Sequence, residues 1–494
     1  MLLRPLTLAL LFAVVLLGGH RLFFTQDAGN RVELDHPYAA FLESRAFGAA
    51  LGATAEFRKM EWVVIDPARR RLYLSMSEIS EAMSDGAGDI AIDANPCGIV
   101  YVADLEADDS IRELRPLVIG GPYDAEAANH CDVDHIANPD GLAVDARGRL
   151  WIAEDTGSHI NAALWVFDPA EESLRRFAAA PVGAELSGPY ITGDGMLFFT
   201  SQHPDGASQP PFNAGVVVGV SDFDANADDF DPLPAPEGDR QRTLSIAAGE
   251  VQVIARSGDP IPGDAQGEVF GAVSRFDGSI QHISGSPDGV MWLPHGETGV
   301  LYVNYEGIPG GAARLNLERT PAGWRVIDGQ MIDFGGVNGT WHNCGSSVTP
   351  WNTGLTSEEY EPYAGDYNSV AVMSENLGRA ANPYDYGWIV ELAPDGGGDR
   401  VVKRFAMGRF SHENAAVAGD RRTVYLSDDG SNVMLFRFVA ARPDDLSEGT
   451  LYAARVTQFG GTGADHRFGL EWIVLGTAAE ADIEVAIRAL DPRS

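Results

Sequence analysis

A short apolar strand, a turn built on Asp with Gly or Arg, and a second apolar strand recur along most of this chain. That unit constrains the fold more than any other feature. It is read in "WVVIDPARRRLYLSMS" from Trp62, "GLAVDARGRLWIAED" from Gly141, "YITGDGMLFFTSQ" from Tyr190, "GSPDGVMWLPHGETGVLYVNYE" from Gly285 and "VAGDRRTVYLSDD" from Val417. In each, β-branched and aromatic residues alternate around a hairpin turn. The 56 glycines and 28 prolines suit many tight turns. Helical periodicity is scarce, and its best case is "HPYAAFLESRAFGAALGA" from His36. Antiparallel hairpins that recur over about 450 residues point to a β-propeller rather than a sandwich. The expected fold is therefore all-β, a single propeller domain over residues 36–490 with long inter-strand insertions. One insertion, "SDFDANADDFDPLPAPEGDRQ" from Ser221, is polar and Pro-rich and is expected to be an exposed loop.

Charge narrows the partners. The 35 Lys and Arg face 71 acids, a net charge of −36. Such a surface repels nucleic acid and anionic membranes and suits divalent cations. Composition cannot say which acids converge, so a solvated acidic surface is the expected main cause of the bulk charge. At the N-terminus, one Arg precedes an apolar run from Leu6 to Leu17. Residues 1–24 read as a signal peptide or a membrane anchor, and either exports the body to the periplasm or the cell exterior. An oxidising compartment permits one disulfide among three cysteines. A Cys97–Cys131 bridge leaves Cys344 as the spare thiol.

In a propeller the inner strands converge on a central channel, where acids repel unless cations sit between them. Four groups of residues stand near strand ends. Asp140 lies in "NPDGLAVDARGRLWIAED", and Lys59 and Glu61 lie in "FRKMEWVVIDP". His412-Glu413-Asn414 precede a hairpin whose second strand ends in Asp428-Asp429. His412 and Glu413 are adjacent, so on a regular strand they face opposite ways. The fourth group is "TWHNCGSSVTPWNTGLTSEEYE", with Cys344 and Glu358-Glu359. Each also has a plain structural reading: a turn for the Asp-Gly motifs, a surface Glu at Glu61, a small buried hydrophobe for Cys344.

At these residues the chain resembles the PhoX-type alkaline phosphatases, exported bacterial enzymes on a six-bladed propeller with a mixed iron–calcium cofactor. The resemblance runs through "GATAEFRKMEWVVIDP", "NPDGLAVDARGRLWIAED", "SGPYITGDGMLFFTSQHP", "LYVNYEG", "GGAARLNLE", "NCGSSVTPWNTGLTSEE", "YGWIVELAPDG", "MGRFSHENAAV", "VYLSDDGSNVMLFRFV" and "LSEGTLYAARV". The order is unusual: segments similar to residues 45–210 normally follow those similar to 285–475, so the chain looks circularly permuted. A propeller brings its ends together, which makes a shifted break point tolerable.

The resemblance implies a ligand set. Cys344 falls on the family's iron-ligating Cys, Glu359 on the second Glu of its pair, and Glu413 on the Glu after its His. Asp428 or Asp429 falls on the following acid, and Glu61 and Asp140 on two further acids. Glu306 in "NYEG" joins the calcium shell. Together these would hold two Fe3+ and three Ca2+ ions, the thiolate suiting iron and the carboxylates both metals. Thr349-Pro350-Trp351 would be a rigid turn holding the two ligands of its segment apart. Lys59, Glu61, Asp140, Cys344 and Glu413 are the expected catalytic residues, in a monomer acting on a phosphate ester. Departures exist: Lys59 and Met60 replace the family's Arg-Pro, Ser357 replaces a Cys, and Gly345-Ser346-Ser347 replace Ala-Gly-Gly. Only Arg4 stands where the export signal usually has twin arginines. Two other readings stay open. A calcium-dependent lactonase-like propeller would use Asp140 and Glu61 but not Cys344. A non-catalytic binding propeller would need none of them.

Overall fold

Hairpin turns are fixed by their own aspartates. Asp145 accepts the amide of Arg149 at 2.9 Å and the indole of Trp151 at 3.1 Å, and Gly148 takes φ +83° to close the turn. Asp66 does the same work one hairpin earlier, accepting the amides of Ala68 and Arg69 at 3.0 Å. The computed structural model describes residues 32–490 apart from 265–266, 297, 321–322 and 396–397. Residues 1–24, read as signal or anchor, lie outside them.

The described strands pair antiparallel in three four-stranded sheets, one five-stranded sheet and one nine-stranded sheet, beside two two-stranded ribbons; ordered by innermost strand they form successive arrays, the first and the last sharing the nine-stranded sheet. Their innermost strands are Met60–Asp66, Pro139–Val144, Glu185–Ile191, Pro287–His295, Asn343–Val348 and His412–Val417. Each inner strand packs against the next, and the sixth returns to the first, closing a ring. A separate apolar cluster fills each seam. Trp62, Val102, Leu150 and Trp165 sit between the first and second arrays, and Phe198, Val217, Trp292 and Leu301 between the third and fourth. Leu72, Tyr101, Tyr425 and Leu435 close the seam between the first and sixth. The fold is a β-propeller. Arg467–Ala479 extends the sixth array and pairs with Glu113–Ile119 of the first, fastening the ring at that seam.

Cys97, just before the strand Ile99–Asp104 of the first array, and Cys131, in the connection to the second array, form a disulfide, and Cys344 is free and buried. The segment from His36 is helical in two short pieces, Ala39–Leu42 and Ser44–Ala50. These and the late helix Glu480–Ala489 bury Phe41, Ile483 and Ile487 in one cluster over the sixth array. The insertion from Ser221 differs from expectation. Phe223 and Phe230 are buried against Phe177, with ring centroids 5.0 and 5.1 Å away. Arg149 donates to the carbonyls of Ala225 and Asp228 at 2.7 and 3.0 Å. The insertion is thus a packed cover on the second array, because two aromatic residues outweigh its acids.

Candidate metal centre

All six inner strands carry one irregularity. Pairing with the second strand of the array slips between Met60 and Val63, Pro139 and Leu142, Ser187 and Tyr190, Pro287 and Val290, Asn343 and Ser346, and His412 and Ala415. A bulge at that place re-aims a side chain out of the sheet's alternation. The first residues inside the slip are Glu61, Asp140, Gly188, Asp288, Cys344 and Glu413: four acids, a thiol and one glycine. The partner strands match this. Met76, Glu154, Thr200, Tyr305, Glu358 and Asp428 pair opposite the slip, and Ser77, Asp155, Ser201, Glu306, Glu359 and Asp429 follow them. Chemistry therefore repeats around the ring axis at two levels. The third array departs: Gly188 has φ +55° and a Cβ there would lie 2.6 Å from the carbonyl oxygen of Asp288. Its acid is Glu185, at the head of the strand.

These positions converge. Ligand atoms of Asp288, Glu306 and Cys344 lie within 4.8 Å of one another, as do those of Glu306, His342 and Glu359. The same holds for Cys344, Glu359 and Glu413, for Glu61, Glu413 and Asp429, and for Asp155, Glu185 and His203. The first four groups share members and form one continuous cluster. Cys344 Sγ is 3.3 Å from each carboxylate oxygen of Glu413. His342 Nδ1 is 3.2 Å from Glu359 Oε2. Lys59 Nζ lies 2.9 and 2.8 Å from the two oxygens of Asp429 and 3.2 Å from Glu61.

Crowding sets the electrostatics. Burial, and then Glu359, Asp140, Glu61 and Asp288, push the Glu413 carboxyl well above the usual range. Burial and the neighbouring acids raise Glu185 in the same way, Asp155 and Asp140 first among them. Asp288 is pushed up to about 7 by burial and Glu306, against donation from Cys344 and Ser187. Glu359 reaches about 8, from burial and Asp429, with His342 opposing. Burial raises the Cys344 thiol further, with Asp288 and Glu413 next. So many buried acids ionise together only beside cations. The buried Asp288 Oδ2 makes no hydrogen bond among the described residues. Hard oxygens, an imidazole and a soft sulfur in one cluster fit more than one kind of cation.

Of the residues singled out in the sequence, Glu61, Glu306, Cys344, Glu359, Glu413 and Asp429 lie in this cluster, with Lys59 against it. Asp140 is buried at the equivalent bulge, and its charge acts on Glu413 and Glu185. Asp428 is not with them: it points the other way and pairs with Arg45 Nε at 2.7 and 3.0 Å. One residue of a strand end faces the axis and its neighbour faces away. His412 likewise turns outward, its Nε2 2.9 Å from the carbonyl of Gly408. Thr349-Pro350-Trp351 sits in a hairpin turn, where Thr349 N donates to Thr353 O at 2.8 Å. Because Asn343 pairs with Glu358, that turn brings Cys344 and Glu359 together rather than holding them apart. Asp155, Glu185, His203, Asp288 and His342 were not foreseen. Pro287-Asp288-Gly289 repeats Pro139-Asp140-Gly141 and was the available signal.

The adjacent glutamates have opposite duties. Glu358 accepts Lys403 Nζ at 2.8 Å and the amides of Trp341, Gly387 and Trp388 at 3.1, 2.8 and 3.0 Å. Glu358→Gln is expected to cost on the order of 2 kcal/mol in denaturant unfolding, with the chain's bound metal unchanged. Glu359→Gln is expected to lower metal content, while the unfolding of the metal-free chain changes little.

The description "Alkaline phosphatase PhoX" matches residues 26–205 and 308–490. The chain belongs to the PhoX alkaline phosphatase family. No curated protein matches it. Among solved structures it is similar to the Pseudomonas fluorescens PhoX in complex with vanadate, at 24% identity over 41% of this chain and 53% of that one, TM-score 0.33. The match thus spans about half the length of that PhoX chain. It is also similar to a putative 6-phosphogluconolactonase of Bacteroides uniformis, at 10% identity over 84% and 87% of the two chains, TM-score 0.35. A third is the Penicillium chrysogenum alpha-L-arabinanase, at 9% identity over 86% and 97%, TM-score 0.39.

Proposed function

We propose that this chain is an exported, metal-dependent phosphatase that hydrolyses phosphate esters at the axis of its propeller. The observation that carries the reading is Cys344 among acids at the same bulge of the inner strands, with Glu306, Glu359 and Asp429 beside it. Membership of the PhoX family supports the reaction class. The resemblance supports two Fe3+ and three Ca2+ ions. Cys344, Glu61, Asp140, Glu306, Glu359, Glu413 and Asp429 would hold them, with Asp288 and His342 added by proximity. Asp428, engaged by Arg45, drops out of the set.

When bound, cations would supply the positive charge that a doubly anionic ester needs against a chain of net charge −36, and would polarise water and the phosphoryl group. Unassisted monoester hydrolysis needs on the order of 20 kcal/mol of barrier lowering, which a lone histidine does not supply. The protein's own part is to fix the ligands on rigid inner strands and to shield them from bulk water. Lys59 contacts the phosphoryl group, a role supported by its buried ammonium beside Asp429 and Glu61.

Export rests on the apolar run from Leu6 to Leu17; among the described residues no helix is long and apolar enough to cross a membrane. We take the chain as a monomeric single propeller over residues 36–490, permuted in order. The shared packing of Phe41 with Ile483 and Ile487 supports a join at that point.

Protein purified without chelators is expected to be coloured, to contain iron and calcium, and to release phosphate from p-nitrophenyl phosphate. A colourless, calcium-only protein that opens lactones and leaves phosphate esters intact sinks the reading. So does a chain with little iron that hydrolyses neither.

A further inference from the structure

Two residues that are not glycine hold left-handed backbone and aim donors at one carboxylate. Lys59 has φ +51° and Tyr360 has φ +51°, a conformation that bulky residues rarely adopt and that clusters at functional sites. The Lys59 ammonium sits 2.8 and 2.9 Å from the Asp429 oxygens, and the Tyr360 hydroxyl donates to Asp429 Oδ2. The two donors are 3.5 Å apart. Tyr360 is pinned from both sides of its backbone: its amide donates to Ser411 Oγ at 2.7 Å, and its carbonyl accepts the Trp341 indole at 2.7 Å. Its ring stands edge-on to His342, centroids 5.5 Å apart, and the residue is half-buried. Nothing about chain direction requires an aromatic residue here. Strain, double anchoring and a hydroxyl at the edge of the acid cluster together mark a placed donor.

We infer that Tyr360 is a second oxyanion donor of the site, binding with Lys59 the non-bridging oxygens of the phosphoryl group. The inference rests on the phosphatase reading and adds a substrate contact to it. A carboxylate and a phosphoryl group present similar pairs of acceptor oxygens, so Asp429 marks where such a pair is gripped. A lysine offers a point charge without the parallel donors of a guanidinium. The tyrosine hydroxyl supplies the second, directional donor. In substrate-bound protein the dianion takes over the two donors that Asp429 otherwise accepts.

The test is inhibition by inorganic phosphate in wild type and in Tyr360→Phe, with p-nitrophenyl phosphate as substrate. Bound metal and melting temperature are measured on the same samples. The phenyl ring keeps the His342 contact and both backbone bonds, so the fold is retained. Tyr360→Phe is expected to weaken phosphate inhibition and raise KM roughly tenfold, with metal content unchanged. In a Lys59→Met background the same change is expected to have a smaller effect, because the two donors share one anion. An active wild type whose Tyr360→Phe variant keeps full phosphate affinity overturns the inference alone. A variant that loses metal in step with phosphate affinity also overturns it, since the hydroxyl then serves only Asp429. A wild type that neither hydrolyses the ester nor binds phosphate removes the underlying reading, and the inference with it.

Discussion

Cys344→Ala is expected to lower kcat/KM for phosphate esters by roughly a thousandfold or more and to remove the visible colour. The sulfur belongs to two of the ligand groups, with Asp288 and Glu306 on one side and Glu359 and Glu413 on the other. Removing it breaks the cluster at its joint rather than at its edge. Metal-based transition-state stabilisation is worth several kcal/mol, and about 4 kcal/mol corresponds to a thousandfold. Packing does not confound the result, because Cys344→Ser nearly preserves volume and is expected to lose the colour as well. Iron per chain, the absorption spectrum and ester turnover are read together. A Cys344→Ala chain with undiminished turnover would place catalysis on the acids alone and return the weight to a lactonase-like mechanism.

The propeller was legible because its unit is local. A turn aspartate, a glycine and flanking alternation are written within a dozen or so residues, as at Asp145 and Gly148. What alternation cannot display is the slip in pairing that decides which side chain leaves the sheet. Asp428 and Asp429 were indistinguishable for that reason; only the register, with His412 opposite Asp428, turns one to Arg45 and the other to the axis. Asp288 was hidden inside a segment read as an ordinary strand, although its Pro-Asp-Gly setting matches that of Asp140. Glu185 was less visible still, since its array bears Gly188 at the bulge and supplies an acid three residues earlier. The insertion after Ser221 misled by composition: its acids are conspicuous, but Phe223 and Phe230 decide where it goes. Cys344 and Glu359 stood out as a group in the sequence, their roles as ligands came through resemblance to a family, and their contact is made by strand pairing.

Stripped of metal, the protein is expected to lose more stability as pH rises from 6.5 to 8.5 than the metal-loaded protein does. The sign follows from the direction of the shifts. Asp288 and Glu359 ionise at about 7 and about 8 in the folded chain, against roughly 4 when unfolded. A carboxyl raised in this way favours the folded state while both forms are protonated. That advantage drains as pH climbs from the unfolded value through the folded one. Within this window Glu359 gives up about one and a half pH units and Asp288 about half a unit, together about 3 kcal/mol. Glu185 and Glu413, also raised, add in the same direction. Starting at 6.5 keeps His412 out of the balance: buried, its pKa falls to about 3, so its opposing contribution is spent below the unfolded histidine value. Cations bound to the carboxylates oppose the slope, because binding favours the deprotonated ligands. Urea unfolding midpoints at pH 6.5, 7.5 and 8.5, with chelator and with added iron and calcium, separate the two cases. Coincident profiles would mean that the buried acids are neutralised by something other than metal.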